Sequence, residues 1–193
     1  LPPITFAAAR FLLALCLLFP ALKLLKIPLP SSREQWRLMI FTGILQFSVN
    51  YSTVFWAEVY ISPGLAAVLQ SMIPVFGLML AWHYLPSERL TKIKIAAVLL
   101  GIAGVAVIFF DQLAVNNTMA FLACAAIVAG AYAAAHSSIL IKAKAAGLHP
   151  VAILLSQMIC GLPAILIYAL IAEGDPRSHN WSTQAILCVV YLA

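Results

Sequence analysis

Six apolar runs of close to 20 residues each dominate the chain, at about 5–25, 38–57, 63–82, 93–110, 119–141 and 151–172. A helix of about 20 apolar residues spans the hydrocarbon core of a bilayer. A seventh run opens at Trp181 and reaches Ala193 after only 13 residues. The charged residues are too few for any other solvent. A soluble domain of this length carries roughly 48 of them, whereas this chain has 11 basic and 6 acidic residues, with a mean hydropathy of +1.05. The expected fold class is an all-α integral membrane protein, a polytopic helix bundle whose surroundings are the lipid bilayer. Soluble enzyme, disordered tail and secreted disulfide scaffold are excluded.

The net charge of +5 does not point to nucleic acid, because the basic residues stand in short clusters between apolar runs. Lys23, Lys26, Arg33, Arg37, Arg89, Lys92, Lys94, Lys142 and Lys144 fall on one set of alternate connections, nine in all. Arg10 and Arg177 fall on the other, with Glu58, Asp111, Glu173 and Asp175. By the positive-inside rule the basic side faces the cytoplasm. The first helix then runs from outside to inside, and an odd number of helices is expected before it if the N-terminus is cytoplasmic. The abrupt start at Leu1 and the short last run lead us to expect an internal piece of a longer protein. A secretory leader is disfavoured for the first run, which continues to Leu25 with no small-residue cleavage site. Cys16, Cys124, Cys160 and Cys188 sit inside apolar stretches without metal spacing and read as packing residues.

An internal repeat is visible. Leu1-Pro2-Pro3-Ile4 opens the first run, with Arg10 seven residues after Pro3; Leu148-His149-Pro150-Val151 opens the sixth, with Gln157 seven residues after Pro150. Proline at a helix start loses nothing by lacking an N–H. The following helices begin near Trp36 and Trp181, so the offsets, 147 and 145, agree. Matched helices are five apart, an odd number, which gives the two copies opposite orientations. Inverted repeats mark many secondary transporters, with the substrate site near the midplane.

Taken together, these segments resemble the EamA-type transporters of the drug/metabolite transporter superfamily. The matching pieces are Leu1-Pro2-Pro3 through Ala8-Ala9-Arg10-Phe11, Ser62-Pro63-Gly64-Leu65-Ala66-Ala67-Val68-Leu69 and Ser71-Met72-Ile73-Pro74-Val75-Phe76. The Glu88-Arg89-Leu90 turn before Lys92-Ile93-Lys94, then Gly101 and Gly104, complete the first half. The second half fits through Ala131-Tyr132-Ala133-Ala134, Lys142 and the stretch from Pro150 to Gln157. The resemblance implies ten helices in two inverted five-helix repeats, both incomplete here: a partial first repeat over 1–112 and a partial second over 118–193, about family helices 2 to 8. His83-Tyr84-Leu85-Pro86-Ser87 departs from the family pattern, and a local loop difference is expected there.

Polar groups inside a bilayer are costly unless they face protein or water, so each is a candidate site. Gly43, Gln46, Asn50 and Thr53 recur at spacings of three and four, with Tyr51 and Trp56 beside them. This stripe reads either as a substrate-facing wall of amides and aromatic surface or as interhelical hydrogen bonding. Gln70 and Ser71 are the strongly polar side chains of the next run, and Pro74 frees a backbone carbonyl, marking a cavity wall, a kink or a hinge. Ala97, Gly101 and Gly104 form a small-residue stripe suited to close packing, as do Ala126, Gly130, Ala133 and Ser137. Tyr132 and His136 share a face, and His136 reads as a capping or cavity-lining residue rather than a proton carrier. Arg10 is a charge inside a span, either snorkelling outward or drawing a carboxylate towards the entrance; Gln157 is its neutral counterpart. The Asn116-Asn117-Thr118 glycosylation pattern hugs the membrane and carries no functional reading.

No carboxylate lies mid-span, and no HExxH or GxSxG occurs. No cofactor, no metal site and no enzymatic activity are expected. The resulting expectation is a secondary transporter, an exporter of small-molecule substrates such as amino acids or drug-like compounds, in the plasma membrane (a bacterial inner membrane). It would work by alternating access about a midplane cavity. A non-transporting membrane subunit and, more remotely, an intramembrane enzyme are the competing classes.

Overall fold

The computed structural model describes residues 2–85, 91–108, 110, 117–174 and 182–192. The described residues are helical with short connections and contain no strand. In chain order the helices are α1 (Pro3–Leu24), α2 (Arg33–Gly43), a π-helical segment (Ile44–Asn50), α3 (Tyr51–Ala57), α4 (Pro63–Gln70) and α5 (Ile73–Tyr84). They are followed by α6 (Lys92–Ile108), α7 (Thr118–Lys144), α8 (Pro150–Glu173) and α9 (Thr183–Leu192). Arg89, Asp111, Asn116, Asp175, Arg177 and Trp181 lie outside the described residues, as does the Glu88-Arg89-Leu90 turn.

Among the described residues five stretches are long and apolar enough to cross a membrane: Ile4–Leu24, Arg33–Ala57, Pro63–Tyr84, Thr118–Lys144 and Pro150–Glu173. They correspond to five of the six long runs in the sequence. The sixth, α6, has 17 residues as described, the lower limit for spanning, about 17. The protein is thus a polytopic helical membrane protein.

Helix starts follow local chemistry. Ser32 and Gln35 form a capping box: the Gln35 amide donates to Ser32 Oγ at 3.1 Å and the Ser32 amide donates to Gln35 Oε1 at 3.2 Å. Ser62 accepts from the Leu65 amide at 3.2 Å, with Pro63 opening α4. Asn117 Oδ1 takes the Ala120 amide at 2.8 Å and so caps α7, which gives the glycosylation-like triplet a structural use. Pro2, before α1, has no side chain that can accept. The cap comes instead from α8: Glu173 Oε1 accepts from the Ile4 amide at 2.8 Å, and Oε2 accepts from the Thr5 amide at 2.6 Å and the Thr5 hydroxyl at 2.7 Å.

The described residues form two compact units, Leu1–Ser48 with Ala145–Ala193, and Val49–Lys144. In the first, α8 packs against α1 and α2, and α1 also packs against α9. The start of α1 meets the end of α8 through Glu173, and Leu22 near the end of α1 packs with Ala152 and Leu155 near the start of α8. α1 and α8 are therefore antiparallel. Gly43 and Gly161 let α2 approach α8: a Cβ on Gly161 would stand 2.5 Å from the Gly43 carbonyl oxygen and 2.8 Å from Phe47 Cβ. Ser48 Oγ donates to the Gly161 carbonyl at 2.9 Å. Small residues that permit such contact are what hold helices together in lipid, where the hydrophobic effect offers no net drive.

In the second unit α7 is central and packs against α3, α4 and α5. Its buried face is nearly all small: Ala120, Ala123, Gly130, Ala131, Ala133, Ala134, Ala135 and Ser137, with Ile127 and Leu140. The stripe of Ala126, Gly130, Ala133 and Ser137 is a packing surface as expected. The stripe on α6 is not. Ala97, Gly101 and Gly104 are exposed, and a Cβ on either glycine would meet nothing within 4 Å among the described residues. α6 is apolar all round, so lipid is an adequate solvent for every face and no rotation is enforced.

Candidate functional site

Sequence spacing places Gly43, Gln46, Asn50 and Thr53 in one α-helical stripe. In the structure its members fall in two units. Gly43 faces α8, where an added Cβ would meet the backbone of Gln157. Asn50 and Thr53 belong to the second unit and face Gly130 of α7, where a Cβ would collide with Thr53 Oγ1 and lie 3.3 Å from Asn50 Oδ1. Gln46 is half-buried inside the π-helical segment.

The second unit brings the two mid-span amides together. Asn50 is 6% exposed, and its Oδ1 accepts from Gln70 Nε2 at 3.1 Å. Thr53 Oγ1 donates back to the Asn50 carbonyl at 2.8 Å. Gln70 is the last residue of α4, because Pro74 has no N–H to give to the Gln70 carbonyl and the helix parts there. Ser71 and Met72 form the intervening turn, with the Ser71 hydroxyl on the Val68 carbonyl at 2.5 Å. Pro74 then sits in the first turn of α5, where proline is tolerated. The run expected as one helix is thus two, Pro63–Gln70 and Ile73–Tyr84, with a polar side chain at the break.

A second group forms between α5 and α7. Phe76 and Tyr132 meet edge to face with centroids 5.5 Å apart, and Tyr132 and His136 are 5.9 Å apart. His136 Nε2 lies 3.2 Å from the Tyr84 hydroxyl. Tyr132 is 46% exposed, and Phe76, Tyr84 and His136 are half-buried. Phe76 and Tyr84 were not singled out by the sequence. Tyr84 belongs to the segment expected as an aberrant loop, yet it and His83 complete α5; its four-residue relation to Leu80 on a helical face was the available signal. Pro86 and Ser87 of that segment lie outside the described residues.

The remaining candidates have other surroundings. Tyr51 stacks on Phe55 at 6.3 Å. Trp56 packs against the cluster of Ala57, Ile61, Leu65, Ala66, Ala120, Ala123 and Ile127, with Tyr60 at 5.2 Å. In the first unit, the Arg10 guanidinium lies 4.9 Å from the Phe11 ring centroid, and Phe11 in turn meets Phe47 edge to face at 5.3 Å. Gln157 is buried on α8. Among the described residues no His, Cys, Asp and Glu group could hold a metal ion.

The two mid-span amides of the second unit are thus joined to each other at the break between α4 and α5. In comparison with known proteins, residues 1–110 match the model of the EamA-like transporter family. The chain belongs to that family. As an EamA-family chain it is a multi-pass membrane protein. It is similar to a protein of Archaeoglobus fulgidus described as an uncharacterized transporter, with 30% identity over 195 aligned positions. The alignment takes in 100% of this chain and 65% of that relative, so the chain spans just under two thirds of the relative's length. No solved structure matches it.

Proposed function

We propose that this EamA-family chain forms part of a secondary carrier that exports small polar or amphipathic metabolites, amino acids or drug-like compounds among them. The carrier works by alternating access between inverted repeats and sits in the plasma membrane, a bacterial inner membrane. The observation that carries the reading is the Asn50–Gln70 pair, two buried amides joined at 3.1 Å where α4 ends. An amide pair that satisfies itself in the resting protein has a donor and an acceptor to offer when a substrate's ammonium, carboxylate or hydroxyl replaces one partner. Tyr132, an exposed aromatic, supplies apolar contact in the same unit. Gln46, Tyr51, Trp56, Ser71, His136 and Gln157 complete the proposed substrate-binding set, Arg10 is the entrance charge and Pro74 the hinge. The antiparallel packing of α1 on α8, the helices matched by Pro3 and Pro150, supports the inverted relation.

The test is flux in vesicles reconstituted with the full-length protein, screened against amino acids and related metabolites. Replacing both Asn50 and Gln70 with Ala removes about one net hydrogen bond to the substrate, a loss of roughly tenfold in flux. Expression in the membrane should be retained. Wild-type flux in the double variant removes the site assignment, and a complete absence of substrate-dependent flux in the wild type favours a non-transporting subunit.

A further inference from the structure

The hairpin between α1 and α2 contains a residue that packing alone does not call for. α1 ends in a Schellman closure, in which the Ile27 amide donates to the Leu22 carbonyl at 3.2 Å and Ile27 packs beside Leu22. The residue before Ile27 must then take a left-handed conformation, which glycine adopts without steric cost. Lys26 stands there with φ of 51°, and among the described residues it is the non-glycine with positive φ. A side chain held against its backbone preference asks for a reason outside the backbone.

The neighbourhood supplies one. Between residues 19 and 40 there are four basic side chains, Lys23, Lys26, Arg33 and Arg37, and one acidic, Glu34. All four basic residues are exposed. Lys23 and Lys26 suit the negative end of the α1 dipole, but Arg33 and Arg37 occupy the first turns of α2, the end that favours anions. Helix electrostatics therefore does not explain the set. The support beneath is fixed: Ile27 and Leu29 pack against the cluster of Leu22, Ala152 and Leu155, and Pro28 and Pro30 hold their φ angles. Leu24 and Leu25, in the same turn, are 82% and 67% exposed. Exposed cations near bare leucines match one amphiphile, with an anion at one end and hydrocarbon at the other.

We propose that this hairpin is a docking surface for anionic phospholipid, its phosphate held among Lys23, Lys26, Arg33 and Arg37 and its acyl chains lying along Leu24 and Leu25. The Lys26 side chain is retained in its strained position because glycine would surrender one cation of the set.

The full-length protein in uncharged detergent tests this. Phosphatidylglycerol should raise its melting midpoint more than phosphatidylcholine of the same chains, and the difference should shrink in high salt, where charge contacts are screened. Replacing all four basic residues with Gln should abolish the preference, with about a fivefold loss of lipid affinity for each charge removed. Lys26→Gly relieves the strain and should melt at or above the wild-type midpoint without lipid, yet gain less from phosphatidylglycerol. Equal stabilisation by both lipids, or a preference that survives salt in the wild type, overturns the proposal even if the fourfold variant fails to fold. An equal shift with inorganic phosphate alone also overturns it, by assigning the surface to a free anion.

Discussion

Glu173 closes the first turn of α1 through the backbone and hydroxyl of Thr5, from 168 residues away in the chain. Pro2 and Pro3 start the helix with the right φ but supply no acceptor, so the orphan amides of Ile4 and Thr5 depend on this one carboxylate. Hydrogen bonds to a charged group contribute about 1.5–3 kcal/mol. Glu173→Ala should lower the melting midpoint in detergent by roughly 4–8 °C, at 2–4 °C per kcal/mol for a chain of this size. Glu173→Gln, which keeps one acceptor oxygen, should fall between. An unchanged midpoint in the Ala variant would show that the cap contributes nothing.

Glycine positions should sort sharply by their surroundings. At Gly161 the added methyl would meet the Gly43 carbonyl at 2.5 Å, backbone that cannot swing aside. Gly161→Ala should destabilise by about 1–3 kcal/mol, as overpacking does. Gly101→Ala meets nothing within 4 Å and should be neutral or stabilising by up to about 1 kcal/mol, through the lower backbone entropy of alanine. Parallel thermal melts of the two variants decide this; equal effects would contradict the packing described.

The Asn50–Gln70 bond invites a double-mutant cycle on stability, separate from any transport measurement. Interhelical hydrogen bonds in membranes couple by about 0.6 kcal/mol on average and up to about 1.7. Asn50→Ala and Gln70→Ala should show coupling in that range, whereas Asn50→Ala and Ser71→Ala should add independently, because Ser71 bonds to its own helix. Zero coupling between Asn50 and Gln70 would mean that the pair is not formed in the bilayer.

Pro74→Ala restores an N–H opposite the Gln70 carbonyl and should join α4 to α5. Proline inside a helix costs about 3 kcal/mol, though here the chain has already adapted by turning at Ser71 and Met72. A smaller gain, about 1 kcal/mol, is expected in thermal stability, with slower flux if the break is where the helix bends. Unaltered flux alongside raised stability would deny Pro74 the hinge role.

Membrane character, the positions of the long helices and the family were all legible from the order of residues. Hydropathy belongs to each side chain separately, and a run such as 119–141 needs no partner to declare its solvent. The small-residue face of α7 was legible for the same reason: alanines and Gly130 at helical spacing leave room whatever fills it. Which polar side chains meet was decided by the three-dimensional arrangement. Gly43 meets the backbone of Gln157 on α8, and Asn50 meets Gln70 and Gly130, partners that helical spacing alone does not name. The capping of α1 by Glu173, the pairing of Tyr84 with His136 and the bare flank of α6 likewise depend on rotation and approach between helices. In an apolar solvent those degrees of freedom are set by close packing and hydrogen bonds between distant segments, and neither is encoded in any local window of the chain.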